Sequence, residues 1–389
     1  SRPTTGYWGT SGQSLRTVTN ALSQTTTLNW NDSVGEMATL TDPNGLATSW
    51  GYDAFGRRTS EVRPDLTSTA WTYASCGTCD PRVRYVVQQQ SKTDAGAVIR
   101  TDESRYDAFD QEVTRLTPQA AGGSSEVDRT RDALGRVTRT HVPYWVGGAT
   151  NGYQDTSFDL LGRVTATATY TATGSLHSST STAWSGLTAT TTDALGHITT
   201  RVVLAWGPLT RVTDAAGGST NYRSNAFGQL TRTSDAYGTI VMQSAYNLRG
   251  MPTTLTNVNR GSTTRVPNAL GEVVSETTAK GQTRSHVYDL LGRLTSRSEP
   301  EGTSTWTWGT IADNTANAKY VGGLKALAGP GYAESYVNDA YGRLKTRTVT
   351  SDASYQIDYG YNTLGTLDTL TYPVSTAGYR LKLQYDYSN

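Results

Sequence analysis

The sequence predicts an all-β fold in which tandem β-hairpins form a curled or spiralling ribbon. One turn phrase returns along nearly the whole chain: an aromatic or polar residue, Asp or Asn, two further residues, Gly, and often Arg. The glycines of successive copies stand 21 residues apart in the series Gly250, Gly271 and Gly292. Thr-rich runs, which favour half-buried strands, follow the turns. Evenly spaced strands between glycine turns indicate an array of hairpins.

The strongest copies of the phrase define the residues that we predict as structural turn sites. The Asp side chain accepts hydrogen bonds from its own turn, and Gly supplies a positive φ. The Arg holds an equivalent place in each copy, which favours a structural role, either pairing with Asp or stacking on Tyr. The predicted turn sites are Tyr52, Asp53, Gly56, Arg57, Asp132, Gly135, Arg136, Asp159, Gly162, Arg163, Tyr288, Asp289, Gly292, Arg293, Asp339, Gly342 and Arg343.

Weaker copies and a second set of shorter turns complete the pattern, so that each unit holds two turns and two strands. A unit of about 21 residues gives roughly 35 strands and about 170 Å of sheet in total. Such a length does not stay flat, because strands twist. The ribbon is therefore expected to wind into a spiral or close around a hollow, with tyrosines of successive units in register. The best helix candidate, 312–327, is broken by Gly322 and Gly323. The weaker copies lie at 31–36, 106–111, 192–197, 225–229, 246–251, 268–272 and 361–366.

Composition and charge narrow the class of protein. Lys and Arg (34) nearly balance Asp and Glu (33) in the 389 residues, and Arg is scattered, so we predict no nucleic-acid partner. No apolar stretch is long enough to span a bilayer, and no signal peptide opens the chain. We predict one continuous repeat array over residues 1–389, with a less regular lead-in at 1–14 and a truncated copy starting at Tyr385.

Cys76 and Cys79 are the two cysteines of the chain. A redox-active pair needs a helix N-terminus, and a zinc site needs two further ligands. The surrounding residues predict a loop instead, and the four histidines at 141, 177, 197 and 286 are scattered. We therefore expect a local disulfide, with free thiols as the alternative, and predict neither a metal nor a cofactor.

Catalytic motifs are missing from the sequence. It holds no nucleophile elbow, zincin helix or phosphate loop, and the Gly-rich segment 6–12 indicates a loop. Turn carboxylates could face each other as in a glycosidase, but we expect each to cap its own turn. Trp306 with Trp308, or the group Tyr355, Tyr359 and Tyr361, could form a sugar-binding platform, although stacking within the ribbon is the preferred interpretation.

The phrase, its period and its Tyr, Gly and Arg content resemble the YD repeats of the RHS family, from about Leu15 to Asn389. Relatives include bacterial polymorphic-toxin shells, toxin-complex C proteins and teneurins. The resemblance implies a β-ribbon that spirals into a hollow cocoon around a toxin. Asp42-Pro43-Asn44-Gly45-Leu46 is similar to the motif at which bacterial members cleave themselves. We expect an ordinary turn there, because the family motif ends the array and many copies follow it here.

The resemblance implies a secreted or cell-surface bacterial protein segment, and the missing catalytic motifs predict that it is not an enzyme. The preferred function is a structural shell that encapsulates a toxin or other cargo, with the rest of the same polypeptide as partner. The alternative is an extracellular adhesion or fibre module that binds glycans or neighbouring cells.

Overall fold

The computed structural model describes residues 3–9, 12–77, 79–119 and 122–387. Thr10 and Ser11 of the Gly-rich segment, and Ser388 and Asn389 of the final copy, lie outside the described residues. The regular secondary structure of the described chain is almost entirely β-strand, and the strands join into one unclosed sheet of 34 strands. The predicted all-β hairpin ribbon is confirmed. Within the described residues, no helix is sufficiently long and apolar to cross a membrane.

The strands are short because a turn interrupts the chain about every ten residues. A 3-10 turn at Ile311–Asp313 occupies the start of the weak helix candidate, and the strand Leu324–Gly329 occupies its end. In chain order the strands are β1 Thr5–Tyr7, β2 Thr17–Thr19, β3 Thr25–Asn31, β4 Glu36–Thr41, β5 Ala47–Tyr52, β6 Arg58–Val62, β7 Ser68–Ser75, β8 Tyr85–Lys92, β9 Val98–Tyr106, β10 Glu112–Pro118, β11 Ser124–Arg131, β12 Val137–His141, β13 Tyr144–Trp145, β14 Gly152–Phe158, β15 Val164–Thr171, β16 Leu176–Ser185, β17 Thr188–Thr192, β18 Ile198–Val203, β19 Leu209–Thr213, β20 Ser219–Ser224, β21 Leu230–Ser234, β22 Ile240–Tyr246, β23 Pro252–Asn257, β24 Gly261–Pro267, β25 Val273–Thr277, β26 Thr283–Tyr288, β27 Leu294–Glu299, β28 Gly302–Trp308, β29 Leu324–Gly329, β30 Tyr332–Asn338, β31 Leu344–Thr350, β32 Ser354–Tyr361, β33 Leu367–Val374 and β34 Arg380–Gln384.

Each strand pairs antiparallel with the next, except that the two-residue β13 folds back onto β11 and β14 takes its place beside β12. Successive turns therefore fall on opposite edges of the ribbon. We call the edge that carries the turns of Arg57, Arg136, Arg163, Arg293 and Arg343 the arginine edge. The other, with turns such as 42–46 and 63–67, is the plain edge.

One weak copy of the phrase lies on the wrong edge. The turn at 193–197 follows β17 and belongs to the plain edge, whereas the arginine edge at this point holds the turn of Leu204 to Pro208. In that turn Gly207 donates its N–H to the Leu204 carbonyl. The phrase alone could not place this copy, because turns on both edges use the same Asp-x-x-Gly geometry. The number of strands before the turn decides which edge it occupies.

The two faces of the ribbon differ in chemistry. Tyr288, Trp306 and Trp308 lie on one face, which we call the aromatic face. The alternate residues form a hydroxyl face, where Ser298 meets Thr303 at 3.0 Å and Thr277 meets Thr283 at 2.9 Å. This alternation places the abundant threonines on a face that satisfies its own polar groups.

The ribbon is a single layer without a central core. Leu28, Val83, Val113 and Ala189 are the apolar residues that become buried in the described chain, and no large side chain there is completely enclosed. Stability therefore comes from ladder hydrogen bonds and from contacts between neighbouring units, as in other repeat arrays.

Candidate functional site: the arginine edge and the seam between coils

Each strong turn is closed by its aspartate. Asp132 Oδ1 accepts hydrogen bonds from the backbone N–H groups of Leu134 at 2.9 Å and Arg136 at 3.0 Å. Its Oδ2 accepts the Arg136 Nε–H at 2.7 Å. Gly135 takes the left-handed conformation, with a φ of 78°. The hydrogen bond from the Arg136 side chain, with the backbone donors, lowers the Asp132 pKa from its usual value against the opposing effect of desolvation.

The same closure recurs in the other strong copies. The Nε–Oδ2 distance is 2.7 Å for Arg57 with Asp53, Arg163 with Asp159, Arg293 with Asp289 and Arg343 with Asp339. Gly56, Gly162, Gly292 and Gly342 all have a positive φ. The structure thus gives each predicted Asp, Gly and Arg the same place in its turn and holds the five turns apart along one edge.

Each arginine also reaches into the next unit. Arg57 lies over the Tyr73 ring at 4.3 Å, Arg163 over the Trp184 ring at 4.6 Å and Arg293 over the Trp308 ring at 4.9 Å. Arg136 lies over Phe158 in the same way, and Arg343 over Tyr361. An Arg therefore joins an acidic turn to an aromatic ring of the following hairpin, a contact worth about 0.5–1 kcal/mol at an exposed site.

Where a Tyr or Trp stands before a turn of this edge, its polar group reaches back in the opposite direction. The hydroxyl of Tyr52 donates to the Met37 carbonyl at 2.8 Å, and that of Tyr288 to the Val273 carbonyl at 2.9 Å. Tyr361 and the indole of Trp308 make equivalent bonds to Leu344 and Leu294. The expected stacking of tyrosine on tyrosine occurs at Tyr85–Tyr106 and Tyr153–Tyr170, but at the strong turns an arginine replaces it.

The ribbon returns onto itself and forms a seam. The Asn44 side chain accepts a hydrogen bond from the Val321 N–H at 2.9 Å and donates one to the Val321 carbonyl at 3.2 Å, across 277 residues of sequence. The Asp94 N–H donates to the Thr363 carbonyl at 3.3 Å. The plain edge of the first coil therefore meets the arginine edge of the second, which confirms the expected spiral.

Asp65 and Arg343 add charge to the seam. Arg343 Nη1 lies 3.6 Å from Asp65 Oδ2, while its Nε pairs with Asp339. The Asp65 carboxylate also lies over Gly365, where a Cβ would stand 2.6 Å from Oδ2. No local sequence signal points to these contacts, since Asn44 and Asp65 occupy ordinary plain-edge turns.

The Asp42 turn resembles its neighbours. Asp42 Oδ1 accepts the backbone N–H groups of Asn44 at 2.9 Å and Leu46 at 2.8 Å. This is the capping geometry of the other turn aspartates. The structure therefore supports the interpretation of 42–46 as a turn.

Cys76 and Cys79 are paired in the loop between β7 and β8, with Cα atoms 5.6 Å apart. His197 bonds to Asp193 within its own turn, and His141 lies edge-on to Tyr153. In the part of the chain that is described, no three His, Cys, Asp or Glu side chains gather as a metal site.

The proposed sugar platforms are engaged within the ribbon. Trp308 lies under Arg293, and Trp306 lies 5.6 Å from Arg297. Tyr361 bonds to Leu344, and Tyr355 donates its hydroxyl to Asp352. These contacts favour the structural interpretation of both clusters.

A shallow hollow of about 910 Å³ lies on the aromatic face across β15 to β20. Trp184, Tyr222, Arg163 and Arg201 line it, together with aliphatic and Thr side chains and no carboxylate. No local motif points to this hollow, because six strands contribute to its lining. Its residues offer no acid–base pair.

Comparison with known proteins finds a family match in two segments of the chain. Residues 32–68 and 268–304 match the family description RHS Repeat, so these two segments carry the repeat of that family. No curated protein matches the chain.

Solved toxin-complex structures share the fold. The crystal structure of TcdB2-TccC3 aligns with a TM-score of 0.72 and 16% identity over 99% of this chain and 26% of that chain. The structure of TcdB2-TccC3-Cdc42 aligns with a TM-score of 0.72 and 14% identity over 99% of this chain and 28% of that chain. The Photorhabdus luminescens Tc holotoxin pore with a mutated TccC3 aligns with a TM-score of 0.71 and 15% identity over 99% of this chain and 28% of that chain. This chain thus spans roughly a quarter of the length of the structures that it matches.

Proposed function

We propose that this chain is a non-catalytic wall segment of a secreted, hollow RHS-type shell that encloses a toxin or other cargo. The seam carries the proposal. A ribbon whose plain edge docks onto its own arginine edge closes the gap between coils, as a container wall requires. The fold shared with TcdB2-TccC3 and with a Tc holotoxin pore structure that contains TccC3 supports a shell of this kind.

The dimensions of one coil support a hollow centre. About 24 strands lie between the turn after β4 and the loop after β28, and at roughly 4.8 Å each they make a circumference of about 115 Å. A round coil of that length is about 37 Å across. Two facing sheets pack at about 10 Å, so the side chains of the ribbon leave a central space.

The uncovered part of the arginine edge supports association with further ribbon. Phe227 and Leu248, at turn tips that no described strand covers, are 89% and 108% exposed. Tyr341, at the seam, is 39% exposed. Apolar tips that stand free on this edge favour cover by another part of the same polypeptide or assembly.

Electron microscopy and limited proteolysis of the full-length protein test the proposal. We expect a closed hollow particle whose cargo resists protease. An Asn44→Ala/Asp65→Ala variant should make the cargo more sensitive by opening the seam, whereas Asn259→Ala, in an uncovered plain-edge turn, should not. A solid rod, or cargo digested as fast as the isolated domain, would exclude encapsulation.

A further inference from the structure

Acidic residues are scarce in one part of the ribbon. Between residues 194 and 271 the chain has seven arginines and two aspartates, although its net charge is only +1. The strand pairing places Arg211, Arg223 and Arg232 together on the hydroxyl face of β19, β20 and β21. Arg223 stands directly opposite Arg232 in the ladder. We call these three residues the arginine patch.

The patch has no acidic partner. Within the described residues no carboxylate forms an ion pair with Arg211, Arg223 or Arg232, whereas most other arginines of the ribbon are paired. The reason is the alternation of faces. From β22 to β28 the hydroxyl face carries no charged residue, and Glu276 and Glu299 lie on the aromatic face with their own arginines.

Neutral groups hold two of the three side chains in place. Arg211 donates to the buried Ser219 hydroxyl from Nη2 at 2.9 Å, and Arg232 donates to the Gly238 carbonyl at 3.1 Å. Asp214 and Asp235, in the adjoining turns, use Oδ1 to cap their own turns. The exposed Arg223 side chain has no hydrogen-bond partner among the described residues.

Two like charges directly opposite each other in a ladder repel, so the pair costs stability unless an anion lies between or above them. Opposed positions are about 5 Å apart and diagonal ones about 7–8 Å. Alternate residues of an extended peptide are about 6.6 Å apart. An acidic segment with a carboxylate at every second residue therefore matches the patch, and Arg pairs with carboxylates in a forked geometry.

The surroundings argue against sugar or single-stranded nucleic acid. Ligands of those classes stack on aromatic rings, and Tyr222, the nearest aromatic residue in this strand register, lies on the opposite face. The patch is flanked by Asn221, whose amide donates to the Asp235 carbonyl at 3.1 Å, and by Gln243, whose exposed amide suits a peptide backbone.

We propose that the arginine patch binds an extended acidic polypeptide segment with alternating carboxylates. This binding surface goes beyond the proposed shell and depends on it only for the source of the segment. The isolated 389-residue chain can therefore test it, and its failure would leave the electron microscopy and proteolysis results on encapsulation untouched.

The experiment measures binding of a fluorescent peptide of twelve alternating Glu and Ser residues at low salt. Arg223→Gln/Arg232→Gln should weaken binding about fivefold, on the scale of two exposed ion pairs. Arg201→Gln/Arg260→Gln removes the same charge from the opposite face and a turn, and should leave binding unchanged. A peptide with the same residues in two blocks should bind less tightly. Melting curves confirm that both variants fold.

Three outcomes would overturn the proposal. The alternating peptide could fail to bind. Both double variants could also lose the same affinity, which would show that binding depends only on the overall charge of the chain. Heparin or single-stranded DNA of equal charge could bind more tightly with the same dependence on Arg223 and Arg232, and the patch would then be a site for another class of polyanion.

Discussion

Asn44 and Val321 exchange two hydrogen bonds across 277 residues of sequence. The side-chain amide of Asn44 thus pairs with the backbone of the next coil in the way that one strand pairs with its neighbour in a sheet. Because the two residues belong to different coils, their contact forms only when the second coil docks onto the first.

Asn44→Ala should destabilise the seam. Two hydrogen bonds at about 1 kcal/mol each predict a loss of roughly 1–2 kcal/mol. Urea unfolding measures the loss, and amide exchange at Val321 should become faster. Asn259→Ala is the matched control, because its side chain lies in a plain-edge turn with no seam contact. Equal effects of the two substitutions would contradict the role of Asn44.

Gly365→Ala should cost more than Gly378→Ala. Both glycines have a positive φ, 74° and 82°, where an alanine pays about 1–2 kcal/mol. Only at Gly365 does a Cβ also meet the Asp65 carboxylate. The difference between the two unfolding midpoints isolates the seam. Combining Gly365→Ala with Asp65→Ala should remove most of that difference, and an undiminished difference would show that the seam is not its cause.

The stability that each turn arginine contributes should increase with the burial of its side chain. The Arg293 side chain is 17% exposed, between Asp289 and Trp308, and that of Arg57 is 45% exposed. Arg293→Ala should cost roughly 2 kcal/mol and Arg57→Ala about 1 kcal/mol or less in urea unfolding. Arg293→Lys keeps the charge but loses the planar stack, so it should recover part of the loss. Full recovery would mean that the charge alone matters.

Glu334 predicts acid sensitivity. It is almost buried and accepts both Arg347 Nε at 2.7 Å and Nη2 at 2.6 Å, together with the hydroxyls of Tyr332 and Tyr336. The Arg347 bonds lower its pKa from 4.5 to about 2, against the effect of desolvation. A carboxyl group whose pKa is lower in the folded state than in the unfolded state stabilises the protein at pH values above its unfolded-state pKa. That stabilisation disappears as the pH falls from 4.5 to about 2.

Glu334→Gln should therefore reduce stability at pH 7 by on the order of 2 kcal/mol, and the gap to the original chain should narrow as the pH approaches 2. Denaturant unfolding at several pH values measures the gap. Glu301→Gln, at an exposed turn, should show no gap at any of them. A gap for Glu334→Gln that stays constant with pH would contradict this account.

The local part of the structure could be predicted from the sequence because its causes are local. Asp132 and Gly135 close their turn with groups no more than four residues away, so a four-residue phrase is a sufficient signal. The place of Arg136 in the turn followed from the same phrase. Its stacking on Phe158 could be foreseen only as one of two options, since the register between hairpins decides which ring it meets.

By itself, the sequence determined the strands, the turns and the ribbon, because backbone preferences of Gly and Asp act over a few residues. Only the tertiary structure decided which edge each turn occupies, as the displaced turn at 193–197 shows, and which residues meet at the seam. The number of strands in a coil fixes both, and that number depends on twist accumulated over the whole sheet. Asn44 and Val321 therefore become partners through geometry that no stretch of sequence records.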